Sequence, residues 1–371
     1  MWLFFRKLDW ILLGVIALLL SLSLIMLFSI SSAGGTDYFT RQAVAVVLGV
    51  GILFFVATLD YTHIERYSTF IYFVTLLVLA SVLIFGVTVR GTAGWLSFGF
   101  FQIQPVELAK VALIIFLASF ISKKKSELGE WTRLIVSLLL TAAIIFFVLR
   151  QPDLGSSLVL MAIWGGMILA SGIRLKQLLV LGVLSVLLLG VGWATLDDYQ
   201  VARIETFLNP ELDPQGSGYN VLQAIVAVGS GGITGKGLGN GSQSQLNFLP
   251  EKQTDFIFAV VVEELDLVGA ILTLSLYGVL LYRIKRIGET ARDNFGYLVA
   301  VGIFIMIFVQ VLINTGMNMG LLPVTGLPAP LLSYGGSSLL SLFISAGLLL
   351  SIYQRKQGNA DYRITLEQSQ L

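Results

Sequence analysis

The chain contains no cysteine and a single histidine, His63, in 371 residues. Disulfides, thiolate metal sites and cysteine nucleophiles are excluded together. Any Ser-His-Asp triad or multi-histidine site would have to be built on that one imidazole, and His63 sits between Asp60, Glu65 and Arg66 in a short polar stretch that reads as solvated surface. Charge is also scarce. Only 12% of residues are Asp, Glu, Lys or Arg, half the share of a soluble domain. The net charge of +1 gives no basic field for nucleic acid. Acid–base chemistry must therefore come from Asp, Glu, Lys, Arg or Tyr.

What is abundant is apolar sequence, at 56% of residues. A membrane span needs about 20 mostly apolar residues. Ten runs qualify, near 10–32, 40–59, 67–88, 105–121, 132–149, 154–172, 175–196, 255–282, 296–318 and 331–353. The expected fold is an all-α polytopic bundle forming one integral membrane domain over 1–371. The first run has no small-residue cleavage site and reads as an uncleaved helix. With the N-terminus inside, sixteen of the 23 Lys and Arg lie on inner segments. Six lie outside (Arg41, Arg90, Arg150, Arg203, Lys236 and Lys252), and Lys110 lies within a span. This bias predicts that both termini are cytoplasmic. The one long outer segment, 197–254, is glycine-rich but carries Tyr219, Val221, Leu222, Ile225, Phe248 and Leu249, enough apolar surface to fold back onto the bundle.

Charges at bilayer depth cost at least ~2.5–3.5 kcal/mol each, so each one needs a reason. Glu107 and Lys110 are three apart on one helix face, either a structural ion pair or the polar wall of a site. Gln102, Gln104 and Pro105 before them suggest a broken or re-entrant entry to that helix. Asp153 either caps the next helix or joins a network with Lys110. Asp255 opens the eighth span and reads either as a helix cap or as a catalytic carboxylate. Glu263, Glu264 and Asp266 follow on the same helix. Gln310, Asn314 and Asn318, at four-residue spacing, form a polar stripe suited to interhelical hydrogen bonds or a cavity wall. The glycine-rich run 229–241 fails as a Walker A loop, having Ser230 and Gly237 where Gly and Ser/Thr are required. Its backbone N–H groups could cradle anionic oxygens, with Lys236 adding charge.

Several motifs occur together and in order: Gly94-Trp95, Gln104-Pro-Val-Glu-Leu-Ala-Lys110, Gln151-Pro-Asp-Leu-Gly155, Phe207-Leu-Asn-Pro210, Asp213-Pro-Gln-Gly-Ser-Gly-Tyr219, Gly235-Lys-Gly237, Phe248-Leu-Pro-Glu-Lys-Gln-Thr-Asp-Phe-Ile-Phe258, Gly326-Leu-Pro-Ala-Pro330 and Ser333-Tyr-Gly-Gly-Ser337. From the first span to the last the chain resembles the SEDS family (shape, elongation, division and sporulation), and within it the RodA branch more than the FtsW branch. The resemblance implies a ten-helix peptidoglycan glycosyltransferase that polymerises lipid II on the outer face of the bacterial cytoplasmic membrane and releases undecaprenyl pyrophosphate. It implies Asp255 as the essential acid and Glu107, Lys110 and Asp153 as the surrounding network. It further implies a class B penicillin-binding protein as partner, alongside other membrane proteins of the elongation machinery.

On this reading Asp255 is the base, and Arg203, Lys236 and Lys252, or a divalent cation such as Mg2+, stabilise the leaving pyrophosphate. Three departures from the family pattern stand out. Gln253 replaces a frequent His, Asp266 replaces the Gly of Glu-Glu-Leu-Gly, and Val201 and Ala202 stand where relatives often carry a second Arg. The competing class is transport, a lipid II flippase or another polyprenyl-lipid carrier, since intramembrane charge clusters also mark transport pathways. A scaffold without chemistry explains the bundle but not the buried charges.

Overall fold

A computed structural model describes residues 7–34, 37–89, 91–97, 99, 102–123, 130–173, 176, 177, 179, 180, 182, 207, 217–230, 232 and 235–369. The described elements are α1 (Trp10–Gly34), α2 (Tyr38–Thr58), α3 (Tyr61–Arg66), α4 (Ser68–Phe85), β1 (Val87–Val89), β2 (Thr92–Ser97), β3 (Gln102–Ile103), α5 (Pro105–Ser122), α6 (Glu130–Leu149), α7 (Leu154–Ala170), α8 (Ser217–Gly229), α9 (Ser242–Gln245), α10 (Ile257–Glu289), α11 (Asn294–Asn318) and α12 (Gly336–Ser369). Seven of them (α1, α2, α4, α5, α6, α11 and α12) are long and apolar enough to cross a membrane. Helix α7 is a shorter apolar helix of 17 residues on the sixth expected span. The seventh expected span, 175–196, falls largely outside the described residues, as does Arg203.

Burial sorts the helices. In α5, 83% of the spanning window is buried, against 22% in α2 and in α4. Helix α5 is therefore the central post, and α2 and α4 turn most of their surface outward to lipid. In lipid there is no hydrophobic drive between helices, so close approach and van der Waals contact must hold them together. Glycines supply that approach where it is tightest. Gly302 of α11 lies against Ile114 of α5, Gly166 of α7 against Ile305 of α11, and Gly347 of α12 against Val56 of α2.

The entry to α5 departs from the expected broken helix. A small antiparallel sheet, β1-β2-β3, fills the connection from α4. Pro105 then starts α5 at a position where its missing N–H costs nothing. The eighth expected span, 255–282, becomes α10, which runs 33 residues and breaks at Asp266. Asp266 adopts φ 49°, ψ −139°, a conformation that favours glycine, and it stands where the family pattern has Gly. A second apolar cluster lies beside the start of α10. It joins Met26, Leu27 and Ile30 of α1, Ala224 of α8, Leu249, Phe256, Ile257 and Leu332. This cluster seats the segment that carries the candidate acid.

Candidate active site

The segment before α10 is held by its backbone. Glu251, at φ 49°, turns the chain so that its carbonyl accepts from the N–H of Thr254 (3.0 Å) and of Asp255 (3.1 Å). Its carboxylate accepts from the Gln253 side-chain amide and the Thr254 hydroxyl. Three successive carbonyls are then gripped by other parts of the bundle. That of Gln253 accepts from Tyr334 N–H at 2.8 Å. That of Thr254 accepts from the Ser333 hydroxyl at 2.5 Å. That of Asp255 accepts from the side-chain amides of both Asn314 and Asn318, each at 2.9 Å.

Asn318 also accepts from Ala259 N–H in the first turn of α10, and Asn314 donates to the carbonyl of Leu327. Two residues of the expected polar stripe of α11, Asn314 and Asn318, thus clamp the Asp255 backbone. The helix cap is Phe256, with no side chain capping the helix, so Asp255 is not the cap residue. The Asp255 carboxylate faces the turn at Gly326 (φ 74°), where an added Cβ would stand 3.7 Å from Oδ2.

That turn joins the acid to the other candidates. Gly155, at the start of α7, packs against the carbonyl of Thr325 and the side chain of Leu327, with no room for a Cβ. Two residues earlier, Asp153 caps α7, accepting from Ser156 N–H at 2.8 Å. Its other oxygen accepts from the Gln104 amide at 3.4 Å. Gln104 precedes α5, and its N–H donates to Ser337 at 2.9 Å. One turn on, Glu107 and Lys110 form a 2.7 Å ion pair, 3% and 0% exposed. The cap reading of Asp153 and the ion-pair reading of Glu107 and Lys110 are both realised. The turn 325–327 thus lies between the Asp255 carboxylate and Gly155, and Asp153 and Gln104 link the start of α7 to the start of α5.

Lys236 and Lys252 are placed differently. Lys236 Nζ lies 2.6 Å from the Ser242 hydroxyl and 3.3 Å from Glu263 Oε1. The Lys252 ammonium is buried against the Ser244 carbonyl and donates to Asn247 Oδ1 at 2.8 Å. Burial pushes its pKa below the usual lysine value. Both ammonium groups are engaged, Lys236 with the loop and α10 and Lys252 within the loop.

The partners of that loop are the two deep glutamates. Glu263 is fully buried and accepts from the N–H of Gln243 (2.7 Å) and Ser244 (3.0 Å). Glu264 accepts from the Ser29 hydroxyl at 2.6 Å and the Gln245 amide at 3.1 Å. Gly241 lies so close that a Cβ would meet Glu263 Oε2 at 2.6 Å. The glycines at 235 and 241 therefore let the loop backbone approach α10. Among the described residues no three His, Asp or Glu side chains are grouped to hold a metal ion, so a donor set for a resident divalent cation is not found there.

This architecture is a mostly helical, multi-pass membrane bundle of the kind found in peptidoglycan synthases. A solved structure, described as the structural coordination of polymerization and crosslinking by a peptidoglycan synthase complex, superposes with a TM-score of 0.80. It is 31% identical in sequence and is matched over 94% of this chain and 98% of that one. Residues 4–358 match the family model for FtsW, RodA and SpoVE, described as cell cycle protein. The chain belongs to the SEDS family. Among its relatives, Stage V sporulation protein E of Bacillus subtilis (strain 168) is 40% identical over 356 residues, covering 93% of this chain and 96% of the relative. Peptidoglycan glycosyltransferase MrdB of Escherichia coli (strain K12) is 37% identical over 347 residues, covering 92% and 93%.

Proposed function

We propose that this chain is a peptidoglycan glycosyltransferase that joins lipid II into glycan strands at the outer face of the bacterial cytoplasmic membrane. The observation that carries this reading is the grip on three successive carbonyls at Gln253, Thr254 and Asp255. A bundle that spends two buried asparagines, a serine and a backbone N–H on one short segment fixes where the Asp255 carboxylate stands. Preorganisation of this kind keeps a reacting group in place without reorganisation during the reaction.

In the step we assign, Asp255 takes the proton from the acceptor sugar 4-hydroxyl. That oxygen bonds to the anomeric carbon of the donor, whose bond to the pyrophosphate oxygen breaks. The electron pair leaves on undecaprenyl pyrophosphate. General-base help of this sort is worth ~10²–10⁴-fold. Glu107, Lys110, Gln104 and Asp153 brace the wall behind the Gly326 turn. Arg203 is the cation we assign to the leaving pyrophosphate. Lys236 and Lys252 serve it indirectly, Lys236 by tying the outer loop to Glu263 of α10 and Lys252 by fastening the loop to itself at Ser244 and Asn247.

The cellular role we assign is elongation and rod shape, with both termini in the cytoplasm. A class B penicillin-binding protein and further membrane proteins of the elongation machinery are the proposed partners. The likeness to a Thermus thermophilus structure described as rod shape determining protein RodA supports the elongation role, and the pairing of polymerization with crosslinking in the synthase complex supports a crosslinking partner. The test is reconstitution of the purified protein in vesicles with lipid II, with and without a class B partner. Glycan polymer is the expected product. Lipid II crossing the bilayer without polymer, under every partner condition, would overturn the reading in favour of a flippase.

A further inference from the structure

Helix α2 turns most of its surface to lipid, yet Gln42, one turn in from its start, is fully buried. Its side-chain amide makes two bonds to one short stretch of backbone before α12. Nε2 donates to the Ser333 carbonyl at 3.1 Å, and Oε1 accepts from Gly335 N–H at 3.2 Å. Four residues earlier on the same helix face, the Tyr38 ring meets the Tyr334 ring edge-on, with centroids 5.3 Å apart. The stretch that α2 holds is the one that holds the acid segment. Tyr334 N–H donates to the Gln253 carbonyl, and the Ser333 hydroxyl donates to the Thr254 carbonyl. The Ser333 oxygen also accepts from Ala329 N–H at 2.8 Å, which leaves its proton for Thr254.

We propose that Gln42 is a positioning residue for Asp255, acting from α2 through residues 333–335. The inference rests on the reading of Asp255 as the base. Three observations carry it. First, burying an amide is costly unless both its donor and its acceptor are used, and an apolar side chain would fill the space without that cost. Both ends of the Gln42 amide are used, and both on the same loop. Second, the two bonds fall two residues apart, on a carbonyl and on an N–H, so they fix the direction of the loop as well as its distance from α2. Third, the bonds run in series, from Gln42 to the backbone of 333–335 and from there to the carbonyls of Gln253 and Thr254. Asn314 and Asn318 grip the next carbonyl from α11. The acid segment is thus held from two sides. Without Gln42 it stays attached at α11 but gains freedom to pivot there, and small displacements of a reacting group cost rate steeply.

The test uses the full-length protein, with lipid II polymerisation and amide hydrogen exchange over residues 251–256 as separate readouts. Gln42→Met keeps the length of the side chain and removes both bonds. It is expected to lower kcat about tenfold with KM for lipid II unchanged. It is also expected to speed exchange over 251–256 about tenfold. Val56→Ala is the structural control. It trims the same helix where it packs on Gly347, roughly 20 Å further along by helical rise. It is expected to lower the unfolding temperature at least as much, with kcat and exchange over 251–256 unchanged. Gln42→Met combined with Ser333→Ala is expected to lose less than the product of the two single losses, because the two residues act in series. Wild-type exchange in Gln42→Met, equal effects from Val56→Ala, or a loss in the double variant equal to the full product would each overturn the inference. So would wild-type kcat in Gln42→Met when Asp255→Asn is slowed. Wild-type polymerisation by Asp255→Asn would instead sink the reading of the base, and the exchange results would still decide whether Gln42 holds the segment.

Discussion

Asn318 holds both ends of the turn that carries Asp255. Its Nδ2 donates to the Asp255 carbonyl at 2.9 Å, and its Oδ1 accepts from Ala259 N–H at 3.0 Å. The amide therefore bridges the last residue before the helix cap and the first turn of α10, from a position four residues along α11 from Asn314.

Removing the Asn318 amide should damage the site more than its distance from the chemistry suggests. Asn318→Asp keeps an acceptor for Ala259 and loses the donor to Asp255. The Asp255 carbonyl keeps Asn314, but an acceptor oxygen then faces the carbonyls of Asp255 and Asn314, and a buried polar group without its partner costs about 1–3 kcal/mol. Polymerisation is expected to fall at least tenfold, with a lower unfolding temperature, and Asn314→Asp should behave alike. Wild-type polymer yield from a correctly folded Asn318→Asp protein would show that the clamp does not position the acid.

The outer loop should depend on Glu263 more than on Lys236. Glu263 has two backbone N–H donors besides the lysine, so losing Lys236 leaves the carboxylate partly satisfied. Glu263→Ala abandons two buried N–H groups and a lysine together, and breaking a buried pair from one side costs about 3–5 kcal/mol. Limited proteolysis within 235–254 is expected to be fast in Glu263→Ala and slower in Lys236→Met. The reverse order would contradict the account of how the loop is held.

Asp266→Gly should stabilise the protein. Asp266 is 7% exposed, holds a positive φ, and its Oδ2 has no hydrogen-bond partner among the described residues. A strained non-glycine backbone costs of order 1–3 kcal/mol, part of which returns as glycine's greater freedom in the unfolded chain. A net gain of about 1 kcal/mol is expected in thermal unfolding, and a loss would mean that the Asp266 carboxylate has a favourable partner in the native membrane.

The pH dependence should carry the mark of Lys252. Its folded pKa is lowered by burial from the ordinary 10.5. Between the folded and unfolded values the unfolded chain binds more protons, so this residue's contribution to stability rises with pH. The burial penalty is present at neutral pH and is relieved as pH climbs towards 10.5. Lys252→Met should flatten the stability profile on the alkaline side. An unchanged alkaline slope would show that the ammonium is as well solvated folded as unfolded.

Much of this architecture was legible from sequence, because in lipid an apolar run of span length has few other fates. Seven expected spans coincide with described helices of that length, and the three-residue spacing of Glu107 and Lys110 offered their ion pair as one of two readings. The cap by Asp153 was likewise one of two readings, the other being a network with Lys110. The contacts of Glu263 and Glu264 were not. Carboxylates at that depth suggest protonation or a polar cavity, whereas their donors come from 19 to 27 residues earlier in the chain and from α1. The role of Asn314 and Asn318 was half legible, since four-residue spacing gives a shared face but not what that face grips. The sheet before α5 had no hydropathy signal, being three strands of three, six and two residues. The extension of α10 past residue 282 lies in polar sequence that a span reading ends on.

The central claim is that the Asp255 carboxylate acts as the base, and the most direct test is polymerisation of lipid II by Asp255→Asn. The amide keeps nearly the shape of the carboxylate, and the backbone contacts described for the segment are made by carbonyls and N–H groups that the substitution leaves in place. The account predicts wild-type folding and lipid II binding with polymer formation reduced by 10² or more, the lower bound for a lost general base. Polymer formed by Asp255→Asn within a few-fold of the wild-type rate would contradict it.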